Sequence, residues 1–145
     1  MKPVRVRAEH LHAIAELETL VFHTPWSERS LAMLCEESAI AMVCLSGEVA
    51  AAYGGMITVL DEGQITDVAT HPDFRRQGLG DSVLGAMLDA ARERGLARVT
   101  LEVRESNAPA IALYQKHGFS VWGRRARFYT HPSEDALVMG VEFEQ

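Results

Sequence analysis

The residues best suited to chemistry lie in one stretch, Ile65-Thr66-Asp67-Val68-Ala69-Thr70-His71-Pro72-Asp73-Phe74-Arg75-Arg76-Gln77-Gly78-Leu79-Gly80. It reads as a buried strand, a basic turn bearing glycines, and the start of a helix. The run Arg75-Arg76-Gln77-Gly78-Leu79-Gly80 suits a pyrophosphate. Glycine lets backbone N–H groups approach a ligand with no side chain in the way. A helix N-terminus adds unpartnered donors and the positive end of the helix dipole. Successive N–H groups in such a turn form an anion-binding concavity, and the arginines add fork-shaped donors for phosphate oxygens.

The elements that must position this turn follow from periodicity. Residues 3–7 alternate Val and Arg, a short strand with one buried face. Leu11, Ile14, Leu17, Glu18 and Val21 recur at helical spacing, with Glu18 expected at the edge of the apolar face. Pro25 breaks that helix, and Ser27 is a good N-cap for a second one over 28–37. Apolar runs at 39–45 and 49–60, separated by Ser46-Gly47-Glu48 and followed by Asp61-Glu62-Gly63, predict antiparallel hairpins. The strand 64–70 leads into the turn. Leu79, Val83, Leu84, Met87, Leu88 and Ala91 then make a helical stripe that ends near Gly95. Strand 97–103 sets Val99, Leu101 and Val103 on one side and Thr100, Glu102 and Arg104 on the other. Ser106 or Asn107 caps a further helix with Pro109 in its first turn, which ends at Gly118-Phe119. Strands over 119–125 and 136–143 close the chain, joined by a polar loop containing His131-Pro132. The unit 64–103 is a strand–helix–strand crossover, which forces one parallel pair into a mostly antiparallel sheet.

At 145 residues, with 48% apolar and 23% charged residues, the chain has the length and composition of one globular domain spanning 1–145. No signal-peptide pattern and no membrane-length apolar run is present, because Glu9, His10 and Glu48 interrupt the candidates. A membrane partner is therefore not expected, and a cytoplasmic location is. Cys35 and Cys44 lack metal or redox spacing and read as buried packing in a reducing compartment. The histidines are scattered, so no metal site is expected. A net charge of −6 argues against direct nucleic-acid binding and is compatible with a basic peptide partner. Nothing in the pattern fixes an oligomeric state.

Arg75-x-x-Gly78-x-Gly80 after a strand resembles the acetyl-CoA signature of the GNAT acyltransferases. That resemblance implies an α/β (α+β) fold, a mixed and mostly antiparallel sheet of about seven strands with about four helices on both faces. It implies acetyl-CoA entering where the two central strands splay apart. The backbone of Val68, Ala69 and Thr70 would pair with pantetheine amides, much as a peptide adds to a strand edge. Arg75, Arg76, Gln77, Gly78, Leu79, Gly80 and Asp81 would line the pyrophosphate. Leu101-Glu102-Val103-Arg104-x-Ser106-Asn107-x-x-Ala110-x-x-Leu113-Tyr114-x-x-x-Gly118-Phe119 is similar to the RimI branch, whose members acetylate the N-terminal alanine of ribosomal protein S18. Phe22-x-x-Pro25-Trp26-Ser27 and Arg125-x-x-Phe128-Tyr129, followed by Glu134-Asp135-Ala136-x-x-Met139, agree with it. The implied partner is S18 or another peptide N-terminus.

The implied chemistry is consistent with elementary acid–base argument. A protonated amine cannot attack a thioester. An α-amine, with a reference pKa of about 7.7–8.0, is roughly one-tenth free at neutral pH, whereas a lysine near 10.4 is far less so. A modest base suffices for the former, and Glu102 stands at the family's base position, acting directly or through water. Tyr114 is the candidate acid for the departing CoA sulfur. Asn107 lies two helical turns earlier on the same face, with Ala110 between them, and would hydrogen-bond the pantetheine arm. Trp26 and Tyr129 are candidate substrate contacts. Asp67 is a second carboxylate that could compete for the base role. Asp81 stands where relatives often carry a basic or small residue, and Arg127 and Phe128 where they often carry Asn and Tyr. Lysine or small-amine acceptors, and a non-catalytic acyl-CoA-binding regulator, are the alternatives. A dinucleotide-binding fold is disfavoured, since Val83 replaces the third glycine of that fingerprint.

Overall fold

The computed structural model describes residues 1–144. Its sheet has seven strands in the order β1-β2-β3-β4-β5-β7-β6. In chain order these are β1 (Val4–Arg5), β2 (Ala39–Ser46), β3 (Val49–Val59), β4 (Glu62–Thr70), β5 (Arg98–Arg104), β6 (Ser120–Tyr129) and β7 (Glu134–Glu142). Four α-helices interrupt them: α1 (Leu11–Val21), α2 (Glu28–Leu31), α3 (Leu79–Glu93) and α4 (Ala108–Lys116). The β4–β5 pair is parallel and all others are antiparallel, as the single crossover requires. That mixed sheet also excludes the dinucleotide-binding alternative, whose sheet is mostly parallel.

Two apolar clusters occupy the two faces. One joins α3 and α4 to the sheet through Val83, Leu84, Met87, Leu101, Tyr114 and Phe119. The other joins α1 and the α2 region through Ile14, Leu17, Leu31, Leu34, Val43 and Tyr53. α3 lies close on β3 because Gly54 has no side chain: a Cβ there would run into Met87 and sit 2.9 Å from Val83 Cγ1.

Two local features shape the site. First, β4 and β5 pair only at Glu62 with Arg98, Gly63 with Val99 and Gln64 with Thr100. Beyond those pairs the strands part, although each runs on, to Thr70 and to Arg104. Second, β4 carries a bulge. Met56 pairs with Ile65 but Gly55 pairs with Asp67, leaving Thr66 as the extra residue. Ile65 belongs to the α3-side cluster, and simple alternation would send Asp67 the same way. The bulge turns it to the α1 side instead.

Several expectations are corrected. The segment expected as one helix over 28–37 is a single α turn, capped by Ser27 Oγ accepting from Ser30 N–H at 3.1 Å, followed by a 3-10 turn at Ala32–Cys35. Cys35 is exposed rather than buried; only Cys44 packs in the interior. Val4 is exposed at the short edge strand, and Val6 alone is buried there. Glu18 is not at the edge of its helix's apolar face but fully buried within it.

Replacing Gly54 by valine forces branched carbon into the α3 contact. The expected result is a loss of about 1–3 kcal/mol, read as a lower urea midpoint with an unchanged slope.

Candidate active site

The basic turn follows β4. A short 3-10 turn at Pro72–Phe74 is capped by His71 Nδ1, which accepts from Asp73 N–H at 3.1 Å. Arg76 and Gly78 both adopt positive φ, 65° and 74°. Gly78 is the N-cap of α3 and supplies no side-chain acceptor to its first turn. The first intrahelical donors therefore point outward unengaged, and a Cβ at Gly78 would meet nothing within 4 Å. Arg75, Arg76 and Gln77 are exposed around this corner, whereas the Leu79 side chain is buried in the core. Leu79 can thus offer only backbone. Gly80 faces Thr70 Oγ1 and Leu113 Cδ2, tying the corner to the end of β4 and to α4. A diphosphate fits this corner: open space, unpaired donors, the positive helix end and two arginines.

Asp81 does not face that space. Its Oδ1 lies 2.8 Å from His117 Nε2 and 3.1 Å from Lys116 Nζ, at the end of α4. Those two partners hold its carboxyl below the usual range. A neighbouring helix thus neutralises this acid beside the anion corner.

Along β5, Val99, Leu101 and Val103 are buried against α3 and α4, so Glu102 projects to the α1 side. It lies just past the last β4–β5 pair, with Gln64 Nε2 3.3 Å from Oε2 and Arg125 Nε 3.8 Å from Oε1. Its side chain is 15% exposed. Tyr114 approaches from the opposite side, buried on α4 with its ring 5.6 Å from that of Phe119. Burial, then the neighbouring Asp67 and Tyr129, push its hydroxyl pKa up. Tyr129 is raised by burial and by Glu102, with Arg104 opposing. Glu102, Tyr114, Tyr129 and Asp67 therefore surround one place, the gap between the parted strands. Asn107 is the N-cap of α4, its Oδ1 accepting from Ala110 N–H at 3.3 Å. Val68 and Thr70 turn toward α3, and Ala69 toward α1.

Two loops frame the α1 side of the gap. The β6–β7 loop is held by Arg104, which donates to Thr130 O at 2.8 Å and Pro132 O at 3.0 Å, pairs with Glu134 and lies 4.5 Å over the Tyr129 ring. Arg127, at φ 51°, is fixed by its N–H on Asp135 Oδ1 at 2.9 Å, and Phe128 is exposed with Arg125 over its ring. The α1–α2 loop carries Trp26, 37% exposed. The loops touch through His23 and His131, whose ring centroids are 5.0 Å apart.

Beneath Trp26 lies a group that periodicity placed only at the edge of the apolar face of α1. Glu18, 0% exposed, accepts from Trp26 N–H at 2.9 Å through Oε1 and from the Tyr53 hydroxyl through Oε2. Asp67 faces the same carboxyl. Burial, then the adjacent Glu18, raise Asp67 to about 9, while the Trp26 indole and the Tyr53 hydroxyl partly offset the rise. Two carboxyls this close and this dry do not both ionise. Burial and the adjacent Glu18 thus favour the protonated form of Asp67. The signal was present in the sequence: Glu18 stands four residues after Ile14 and seven after Leu11, inside the stripe rather than beside it.

Residues 11–119 match the model of the acetyltransferase (GNAT) family. The chain belongs to the GNAT acetyltransferase family and is an N-acetyltransferase. Among similar proteins, [ribosomal protein bS18]-alanine N-acetyltransferase of Escherichia coli K12 is 37% identical over 133 residues, 90% of each chain. The protein of the same name from Haemophilus influenzae is 30% identical over 138 residues, covering 93% of this chain and 94% of that one. The crystal structure of the ribosomal-protein-S18-alanine N-acetyltransferase from E. coli superposes with a TM-score of 0.91 at 34% identity, covering 99% of this chain and 94% of that one. Ard1 from Thermoplasma volcanium shares the fold, with a TM-score of 0.86 at 21% identity over 99% and 98% of the two chains. The resemblance to the RimI branch is borne out by these relatives.

The Asp67 carboxyl has a folded-state pKa far above its unfolded value of about 3.9. Its contribution to stability is intact below that value and is lost as pH rises toward 9. Asp67→Asn cannot ionise. The variant should match the wild type near pH 4 and exceed it by about 1 kcal/mol or more at pH 8, in denaturant melts across that range.

Proposed function

We propose that this enzyme acetylates a protein N-terminal α-amine, that of the N-terminal alanine of ribosomal protein S18, with acetyl-CoA as acyl donor. The single observation that carries the reading is the parting of β4 and β5 immediately beyond Gln64 and Thr100. It leaves the edge of β4 at Val68, Ala69 and Thr70 without a partner on its β5 side, the condition for a pantetheine arm to add as a strand would. The uncapped start of α3 lies at the end of the same edge, a receptor for the diphosphate. Acetyl-CoA supplies an activated thioester.

The roles divide by face. Glu102, on the α1 side, takes the proton from the incoming ammonium. Tyr114, on the α4 side, donates to the departing sulfur. Its raised pKa means that it holds a proton at neutral pH, and that position rather than acid strength makes it effective. The Asn107 oxygen is engaged in capping, which leaves its amide nitrogen for a pantetheine carbonyl. Trp26 and Tyr129, one on each framing loop, contact the peptide. The names of the E. coli and H. influenzae relatives support the choice of acceptor.

The test uses peptides with free N-terminal alanine, an acetyl-blocked control, a lysine peptide and spermidine, with products read by mass spectrometry. Acetylation of the free alanine peptide alone is expected; turnover of spermidine or lysine in its place would overturn the acceptor assignment. Glu102→Gln should lower kcat by about 10²-fold or more and change the acetyl-CoA KM by less than about threefold.

A further inference from the structure

Glu18 is the one buried charged side chain among the described residues, and the proposed chemistry does not use it. A buried carboxyl is costly unless its oxygens are bonded, and both of these are. One holds Trp26 N–H in the α1–α2 loop. The other holds the Tyr53 hydroxyl on the central strand β3. Val21 and Phe22 are part-buried, but residues 23–30 are all exposed, so this stretch has little packing of its own. Glu18 therefore ties the Trp26 backbone to the floor of the sheet, while the Trp26 indole faces Asp67 beside it. The loop so tied meets the β6–β7 loop at His23 and His131, opposite Glu102 and Tyr129, while the diphosphate corner and α4 lie on the other face.

We propose that Glu18 is a positioning residue for the acceptor peptide: with Tyr53 it fixes the Trp26 loop that forms one wall of the acceptor entrance, and it contributes nothing to binding of the acyl donor. The inference rests on the reading of this face as the acceptor side. It follows from geometry that Glu18 acts on one substrate only. Donating atoms on Trp26 and Tyr53 converge on it from a loop and from a strand on the α1 side of the sheet, the face opposite α3 and α4.

The experiment measures steady-state kinetics for both substrates in the full-length protein, using an alanine-terminated S18 peptide and acetyl-CoA. Variants are Glu18→Gln and Tyr53→Phe, both close in shape to the native residue, and Glu18→Ala. Glu18→Ala should raise the peptide KM about tenfold or more, with kcat at saturating peptide and the acetyl-CoA KM within about threefold of wild type. Glu18→Gln keeps an oxygen for Trp26 N–H and should recover most of the loss. Tyr53→Phe should fall between. A merely structural role predicts instead a lower kcat, matching the lost folded fraction by circular dichroism, with both KM values unchanged; that result, or equal rises in both, overturns the proposal. Should Glu18→Ala not fold, the same split in Tyr53→Phe decides. Absence of peptide turnover by the wild type would refute the acceptor reading itself, a result distinct from turnover that Glu18 substitutions leave untouched.

Discussion

The arrangement depends on one unfinished ladder. Parallel strands that stay in register satisfy each other's backbone groups, and a pair that separates after Gln64 and Thr100 leaves a row of donors and acceptors with no protein partner. Such groups are costly when shielded from water, so the open edge is stable only where solvent or a ligand can reach it. The fold keeps it reachable. β3 secures the outer side of β4 as far as Thr70, and β7 secures the outer side of β5 as far as Arg104. The gap is thus held apart from both flanks rather than left to close.

The two faces of the sheet then take different tasks. On one, α3 and α4 are locked to each other by Asp81 with Lys116 and His117, so that the anion corner and the helix carrying Tyr114 form one body. On the other, α1 and two loops surround Glu102. Their contacts are polar and local: Arg104 on the carbonyls of Thr130 and Pro132, Glu18 on Trp26. Loops held by a few directed bonds admit variation without disturbing the core, which suits the face that must tell one acceptor from another.

Much of this was legible in the sequence. Alternation along β5 placed Glu102 away from the core, the stripe from Leu79 to Ala91 gave α3, and Gly95 gave its end. The RimI likeness rested on side chains at spacings that the structure brings to one gap. What stayed hidden has physical reasons. The bulge at Thr66 has no residue signature, and without it Asp67 would point to the wrong face. Glu18 looked like a boundary residue because an acid in an apolar stripe is ordinarily an exposed one; Trp26 N–H and a tyrosine 35 positions on together make burial tolerable. The helix expected to reach residue 37 tightens after Leu31 into a 3-10 turn because Leu34 must fold back onto the α1-side cluster.

β6, at the rim of the sheet, has a consequence for the protein in concentrated solution. Its pairing with β7 slips twice, around Trp122 and again across Ala126, Arg127 and Phe128, and the exposed Arg124 and Arg125 on it are paired with acids of their own molecule. A neighbouring molecule seeking to extend the sheet would find no uninterrupted run of free amides along this edge. The outermost strand therefore guards the enzyme against stacking into fibrils, a protection written in irregularity rather than in any added segment.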